Sequence, residues 1–385
     1  MNDRKLNRII LSIPGPGIKN VADLASKIPG CIRFDIGEPN FDMPIHLKQA
    51  AIKAIEEGFT HYTSDLGILE LRSTIAKKKS QENCANLSED NVIVTPGGVG
   101  GLFCILKTIL NPDDEVLISD PSWPPYNLII KVSHGKPVWT EFVKENDVDV
   151  DSLEENITKK TKAIIVNSPS NPTGRVLRKN EIEKIVDFAV EHDLYIISDE
   201  VYDKIFFDDA SHYSFGTIPE IFDRLLLINS FSKTYAMTGL RVGYVIAEER
   251  FIKEMGKVNR AITGCINSIA QKVALAALRG PQDCIEKMRK EYEERRNLIV
   301  KELKRIGLKF MKPMGAFYIF PSVNEGSERF STKLLNKKKV AVVPGSIFSP
   351  SCKNSIRISF GSCTKEGIVE GCERIERFIM DESES

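Results

Sequence analysis

The chemistry-bearing residues of this 385-residue sequence gather just after its apolar runs. Lys233 closes Ser230-Phe231-Ser232-Lys233, directly behind Leu225-Leu226-Leu227-Ile228-Asn229. An amine at the end of a buried strand can be desolvated, which lowers its pKa and readies it for imine formation. The same position also suits a lysine whose stem is covered and whose ammonium stays in water. Asp199 follows Leu194-Tyr195-Ile196-Ile197-Ser198. A carboxylate there is costly unless paired; its partner would be a protonated ring nitrogen of a ligand, or an internal helix cap or ion pair. Arg357 sits inside Ile356-Arg357-Ile358, where a guanidinium needs an anion, either a substrate carboxylate held by two parallel bonds or an internal acid. Trp123, one of two tryptophans with Trp139, suits stacking on a flat ligand, although core packing is the commoner fate. Gly97-Gly98-Val99-Gly100-Gly101 precedes an apolar helical pattern at Leu102, Ile105, Leu106 and Ile109. Free N–H groups at such a helix start suit a phosphate, and a tight turn needs glycine in any case.

Six runs read as the strands that must position these groups: Asn91–Thr95, Glu115–Ser119, Lys162–Asn167, Leu194–Ser198, Arg224–Asn229 and Val242–Ala247. They are β-branched and apolar without alternation, as strands covered on both faces are. Amphipathic stretches lie between them, for example Glu181–His192 with Ile182, Ile185, Val186 and Ala189 on one stripe. Strands alternating with helices predict an α/β fold around a mostly parallel sheet. In such sheets ligands sit beyond the carboxyl ends of the strands; four predicted ends lead into the glycine cluster, Trp123, Asp199 and Lys233, and a fifth, after Asn167, leads into Asn171. A long charged helix follows over Gln282–Ile306. Short β-like runs come next at Ala316–Phe320, Val340–Val343 and Ser355–Ser359, with a last helix over Lys365–Phe378. The organisation expected is an arm plus part of a small domain over 1–44, a large domain over 45–281 and a smaller α+β domain over 282–385.

Lys plus Arg and Asp plus Glu number 53 each, so no general attraction to nucleic acid or acidic membrane is expected. No run is long enough to span a bilayer, and Met1–Ser12 lacks the apolar core of a signal peptide. The eight cysteines (Cys31, Cys84, Cys104, Cys265, Cys284, Cys352, Cys363 and Cys372) form no C-x-x-C pair. The five histidines show no metal-type spacing, so no metal is expected and reduced thiols in a cytoplasmic protein are the simpler reading.

Taken together the motifs resemble those of class I/II aminotransferases, in the aspartate-aminotransferase-like branch of the fold type I pyridoxal-phosphate enzymes. Ser230-Phe231-Ser232-Lys233-Thr234 followed by Thr238-Gly239-Leu240-Arg241-Val242-Gly243-Tyr244 looks like the cofactor-lysine signature. Gly37-Glu38-Pro39, the Tyr62–Arg72 segment, Asn171-Pro172-Thr173-Gly174 and Asp199-Glu200-Val201-Tyr202 match in order and spacing. So do Gly315-Ala316-Phe317-Tyr318, Val343-Pro344-Gly345-Ser346 and Ile356-Arg357-Ile358-Ser359-Phe360.

The resemblance implies a seven-stranded sheet and a Schiff base between Lys233 and pyridoxal phosphate. Asp199 would face the ring nitrogen, Tyr202 and Asn171 the phenolic oxygen, and Trp123 the ring. Gly98, Val99, Gly100, Ser230, Ser232 and Arg241 would hold the phosphate, with Tyr62 reaching it from the other subunit of a homodimer. Arg357, Asn171 and the Gly37 backbone would take the substrate carboxylate. The implied reaction moves an amine from an amino acid to a 2-oxo acid by a ping-pong course. Aspartate-selective relatives often carry a lysine where this chain has Val99, which favours broad, neutral or aromatic donors. β-Lyases and aminocyclopropane-carboxylate synthase-like enzymes share the lysine and aspartate. A cofactor-sensing regulator would add a helix-turn-helix domain. A dehydrogenase would need G-x-G-x-x-G, which Gly97–Gly101 does not supply.

Overall fold

The computed structural model describes residues 6–13, 17–83, 86–144 and 147–383. Cys84 and part of the glycine- and proline-rich arm, Pro14 to Pro16, lie outside them. Seven strands build the central sheet: β1 Val92–Thr95, β2 Glu115–Ser119, β3 Lys136–Thr140, β4 Thr161–Asn167, β5 Tyr195–Asp199, β6 Leu225–Ser230 and β7 Gly243–Ile246. Their order is β1-β7-β6-β5-β4-β2-β3, with β7 antiparallel to both neighbours and the other pairs parallel. The six strands expected from sequence are present within a residue or two of their bounds.

The strand not picked out is β3, Lys136-Pro137-Val138-Trp139-Thr140. It is an edge strand, where one face of the backbone needs no partner and proline is tolerated, so its sequence lacks the continuous apolar run of the inner strands. β6, by contrast, is buried at every position.

Register puts the functional ends in a row. Asn167 pairs with Asp199, and Asp199 with Ile228. Gly243 faces Ser230 on one side and Thr95 on the other. The helix after β1 runs Gly97–Ile109, so the glycines form its first turn and do not merely precede it. Glycine in a helix costs up to about 1 kcal/mol each against alanine, and close packing explains its use. A Cβ on Gly101 would stand 2.9 Å from Val245 Cγ2, and one on Gly243 would stand 2.8 Å from the Gly97 carbonyl carbon.

The C-terminal part begins with the helix Asp283–Arg305, which buries Met288, Tyr292, Ile299 and Leu303. Tyr318–Ile319, Ile356–Ser359 and Val343–Pro344 form a three-stranded antiparallel sheet, and the chain closes on the helix Lys365–Ser383. Ile32–Arg33 pairs in parallel with Val340–Ala341. That pairing carries the start of the chain, and with it Gly37, across to the residues around Arg357. A second apolar core includes Phe34, Tyr292, Phe317, Ile358 and Phe378. None of the described helices is long and apolar enough to cross a membrane.

Candidate active site

The strand ends and Arg357 meet around a cavity of about 280 Å³. Gly37, Gly98, Val99, Trp123, Asn171, Asp199, Tyr202, Ser230, Ser232, Lys233, Arg241 and Arg357 all line it. Of the residues singled out by sequence, two stand apart. Gly100 lies behind the wall, where a Cβ would come within 2.5 Å of the Pro96 ring; it serves the packing of the helix turn and not the cavity surface. Tyr62 is 92% exposed and lines a separate open groove with His61, Thr263 and Cys265.

Lys233 lies in the short helix Phe231–Thr234, whose first turn is capped by Ser230 Oγ accepting from the Ser232 N–H at 3.2 Å. The lysine Nζ donates to the Gly37 carbonyl at 2.6 Å. Burial lowers the ammonium pKa to about 8, assisted by the charges of Arg357 and Arg241 against the pull of Glu38 and Asp199. Asp199 moves the opposite way. Burial raises its carboxyl to about 6 even though Tyr126 donates to Oδ2 at 2.7 Å and the Val201 N–H to Oδ1 at 3.3 Å. Both groups are pushed toward their neutral forms, as charges held out of water without a full partner must be.

Arg357 is 2% exposed. It donates through Nη1 to Asn171 Oδ1 at 3.3 Å and through Nη2 to the Asp35 carbonyl at 2.7 Å. Its Nε is buried without a partner, and no carboxylate of the chain pairs with it among the described residues. The Tyr202 hydroxyl lies 2.8 Å from that of Tyr318. Arg241, left-handed at φ 52°, closes over the glycine turn, with Nη2 2.7 Å from where a Cβ of Gly97 would stand. Trp123 meets Tyr126 edge-on, at 5.4 Å and 84°.

Sequence reasoning gave no role to Tyr126, Asn167, Thr238 or Tyr318, which also line the cavity. Tyr126 stands three residues after Trp123, its N–H donating to the Trp123 carbonyl at 3.0 Å in the turn that starts the next helix, and that spacing was the available signal for it. Asn167 Nδ2 holds the Asp199 carbonyl at 2.9 Å, and its Oδ1 accepts the Asn171 N–H at 2.8 Å. The histidines do not enter the cavity. His192 pairs with Glu154 at 2.8 Å, and with Glu191 these form one surface group whose ligand-type atoms lie within 4.8 Å of one another.

The family model for aminotransferase class I and II matches residues 29–375. The chain belongs to that family. It is similar to "Aromatic-amino-acid aminotransferase 2" of Thermococcus litoralis, 40% identical over 94% of this chain and 95% of that protein. It is also similar to "Aspartate aminotransferase" of Pyrococcus abyssi, 40% identical over the same shares. The crystal structure of a Pyrococcus protein, protein-A1, superposes with a TM-score of 0.94 at 38% identity, covering 98% of this chain and 99% of that one. This aminotransferase therefore carries the fold type I architecture that its sequence implied, and it is an enzyme of amine transfer.

Proposed function

We propose that the cavity holds pyridoxal phosphate on Lys233 and that the enzyme moves an amine between L-amino acids and 2-oxo acids in two half-reactions. One observation carries this reading. Lys233, Asp199 and Arg357 share a single cavity, and each has a charge or a polar atom that the chain itself leaves uncompensated. An anionic substrate group, a protonated ring nitrogen and an aldehyde supply the three missing partners. When bound, the cofactor contributes that aldehyde, and a ring that draws electrons from the carbon losing its proton.

The chain's own residues do the rest. With its pKa near 8, Lys233 is uncharged at pH 7 roughly 300 times as often as an ordinary lysine, each unit being tenfold. It is therefore a competent nucleophile, and afterwards a base for the substrate Cα proton. Asp199, held by Tyr126 and Val201, offers a carboxylate whose burial-raised pKa a facing cation would bring down. Arg357 and Asn171 orient the substrate carboxylate. Gly98, Val99, Ser232 and Arg241 supply the anion-binding end of the cavity.

Val99 is 40% exposed on the cavity wall. It offers no charge to a side-chain carboxylate, so neutral and aromatic donors fit better than aspartate. The exposed Tyr62, with Ile45, Ile52, Ile55 and Leu69 also exposed, suits a homodimer in which Tyr62 completes the neighbouring subunit's site. Seven described cysteines are free thiols, which supports a reducing, cytoplasmic setting.

The test is borohydride reduction of the holoenzyme followed by peptide mapping. A cofactor mass on residue 233 is expected, and Lys233→Ala should lose at least about 10²–10⁴-fold in amine transfer, the size of one general acid–base group. An unlabelled Lys233 sinks the assignment. In single-turnover assays, bleaching by aspartate and glutamate alone would refute the neutral-donor preference.

A further inference from the structure

We propose that Tyr318 is a positioning residue whose single hydroxyl proton decides where the Tyr202 hydroxyl points, and that Lys233 governs the choice through the Gly37 carbonyl. This rests on the reading of Lys233 as the cofactor amine.

The geometry is a junction of three donors. Tyr318 and Tyr202 hydroxyls lie 2.8 Å apart, and either can donate to the other. The Tyr318 hydroxyl also reaches the Gly37 carbonyl at 3.4 Å. That same carbonyl accepts the Lys233 ammonium at 2.6 Å. A phenol carries one proton, so Tyr318 serves either Tyr202 or Gly37, not both.

While Lys233 holds the Gly37 carbonyl by the shorter, charge-assisted bond, the Tyr318 proton goes to Tyr202. Tyr202 then has its own proton free for the cavity. Once Lys233 leaves that carbonyl to bond the cofactor, Gly37 is left with Tyr318 as its donor. Tyr318 turns its proton there, and Tyr202 donates to Tyr318. Tyr202 is thus the stronger cavity donor in the state where the lysine amine is free.

The rings themselves are fixed, so only the protons can move. Tyr318 is 1% and Tyr202 4% exposed. Their rings meet edge-on at 5.8 Å and 89°, and Tyr318 lies 4.7 Å from the Arg357 guanidinium. A Cβ on Gly37 would stand 2.8 Å from the Tyr318 hydroxyl oxygen, so the loop is pressed against it. The charged groups facing the pair are Arg357 for both phenols, Asp199 for Tyr202 and Lys233 across Gly37. Burial pushes both phenols above their ordinary pKa, so both keep their protons through the working range.

The experiment measures the affinity of pyridoxamine phosphate, which binds with the lysine free, by fluorescence titration at one pH. Tyr318→Phe is compared in three backgrounds: the parent enzyme, Tyr202→Phe and Lys233→Ala. In Lys233→Ala, where Gly37 claims the Tyr318 proton and Tyr202 donates to Tyr318, removing that acceptor frees Tyr202 for the cavity, so Tyr318→Phe should tighten binding about three- to tenfold, the size of one hydrogen bond. In the parent, where Lys233 holds Gly37 and Tyr202 already donates into the cavity, the same change should leave binding within about twofold. In Tyr202→Phe it should likewise have no effect, because no hydroxyl remains to be oriented. An equal effect in all three backgrounds means ring packing alone and overturns the proposal, as does no tightening in Lys233→Ala. If the parent enzyme fails to bind pyridoxamine phosphate or to be labelled at residue 233, the cofactor reading itself has failed, which is a separate outcome.

Discussion

Two clusters of buried charge lie on neighbouring turns of this aminotransferase, and they are built on opposite rules. In the cavity, Lys233 is pushed down to about 8 and Asp199 up to about 6, each toward neutrality. Beside the end of β6 the reverse holds. Lys79 pairs with Asp203 at 3.0 Å and with Glu82 at 2.7 Å, and Lys204 bridges Glu82 at 3.0 Å. Burial alone would raise Asp203, yet Lys79 and Lys204 hold it at about 2, and Lys79 rises well above its ordinary value.

Asp203 also accepts from Asn229 Nδ2 at 2.9 Å, and Asn229 Oδ1 takes the Ser230 N–H at 2.6 Å. The compensated cluster therefore ties the Tyr202 turn to the strand end that leads into Lys233. Charges that hold the scaffold are neutralised within the chain; charges that line the cavity are left wanting. The difference in pKa direction separates the two more sharply than burial does, since Asp199 and Asp203 are equally buried.

The largest effect that would break this contrast is on stability. Lys79→Met leaves the Asp203 carboxylate buried with a weaker partner and should cost about 3–5 kcal/mol, read by chemical denaturation. Adding Asp203→Asn should restore most of that. A Lys79→Met enzyme as stable as the parent would remove the scaffold role.

Asp199→Asn should do the opposite in the cofactor-free protein. Because Asp199 is raised, the folded state holds its proton more tightly than the unfolded chain. Stability therefore falls as pH rises from about 4 toward 6, and the whole cost stands above that. The Asn variant lacks the cost and should gain about 1–3 kcal/mol at pH 8, with the gain fading as pH falls from about 6 to 4, while amine transfer is lost. A loss of stability at pH 8 would place Asp199 with the scaffold charges.

The smallest effect sharpens the comparison without a mutation. Modification of Lys233 in the cofactor-free enzyme by a small amine reagent should rise with a midpoint near pH 8, matching its lowered pKa. Lys79 should stay unreactive across that range. A Lys233 midpoint near that of surface lysines, about 10.4, would show a solvated amine.

Part of the candidate site was legible because Asp199 and Lys233 stand where apolar runs end, although each also allowed a structural reading that only the family motifs outweighed. Arg357 was legible for a different reason, a guanidinium inside an apolar run between two buried isoleucines, which must find an anion. Tyr126 and Tyr318 were not given roles, since an aromatic residue in an apolar setting looks the same whether it packs or donates. Their hydroxyl partners, Asp199 and Tyr202, come from 73 and 116 residues away.

The sequence by itself determined the alternation of buried strands and amphipathic helices, hence a mostly parallel α/β sheet whose strand tips carry an amine, a carboxylate and a glycine turn. Period and burial are local properties, written into each run of residues. Only the tertiary structure decided that Gly37 of one segment, Lys233 of another and Tyr318 of a third share a carbonyl, and that Asp203 is satisfied where Asp199 is not. Those outcomes depend on which groups the folded chain brings within hydrogen-bond reach, and neighbours along the chain carry no record of that.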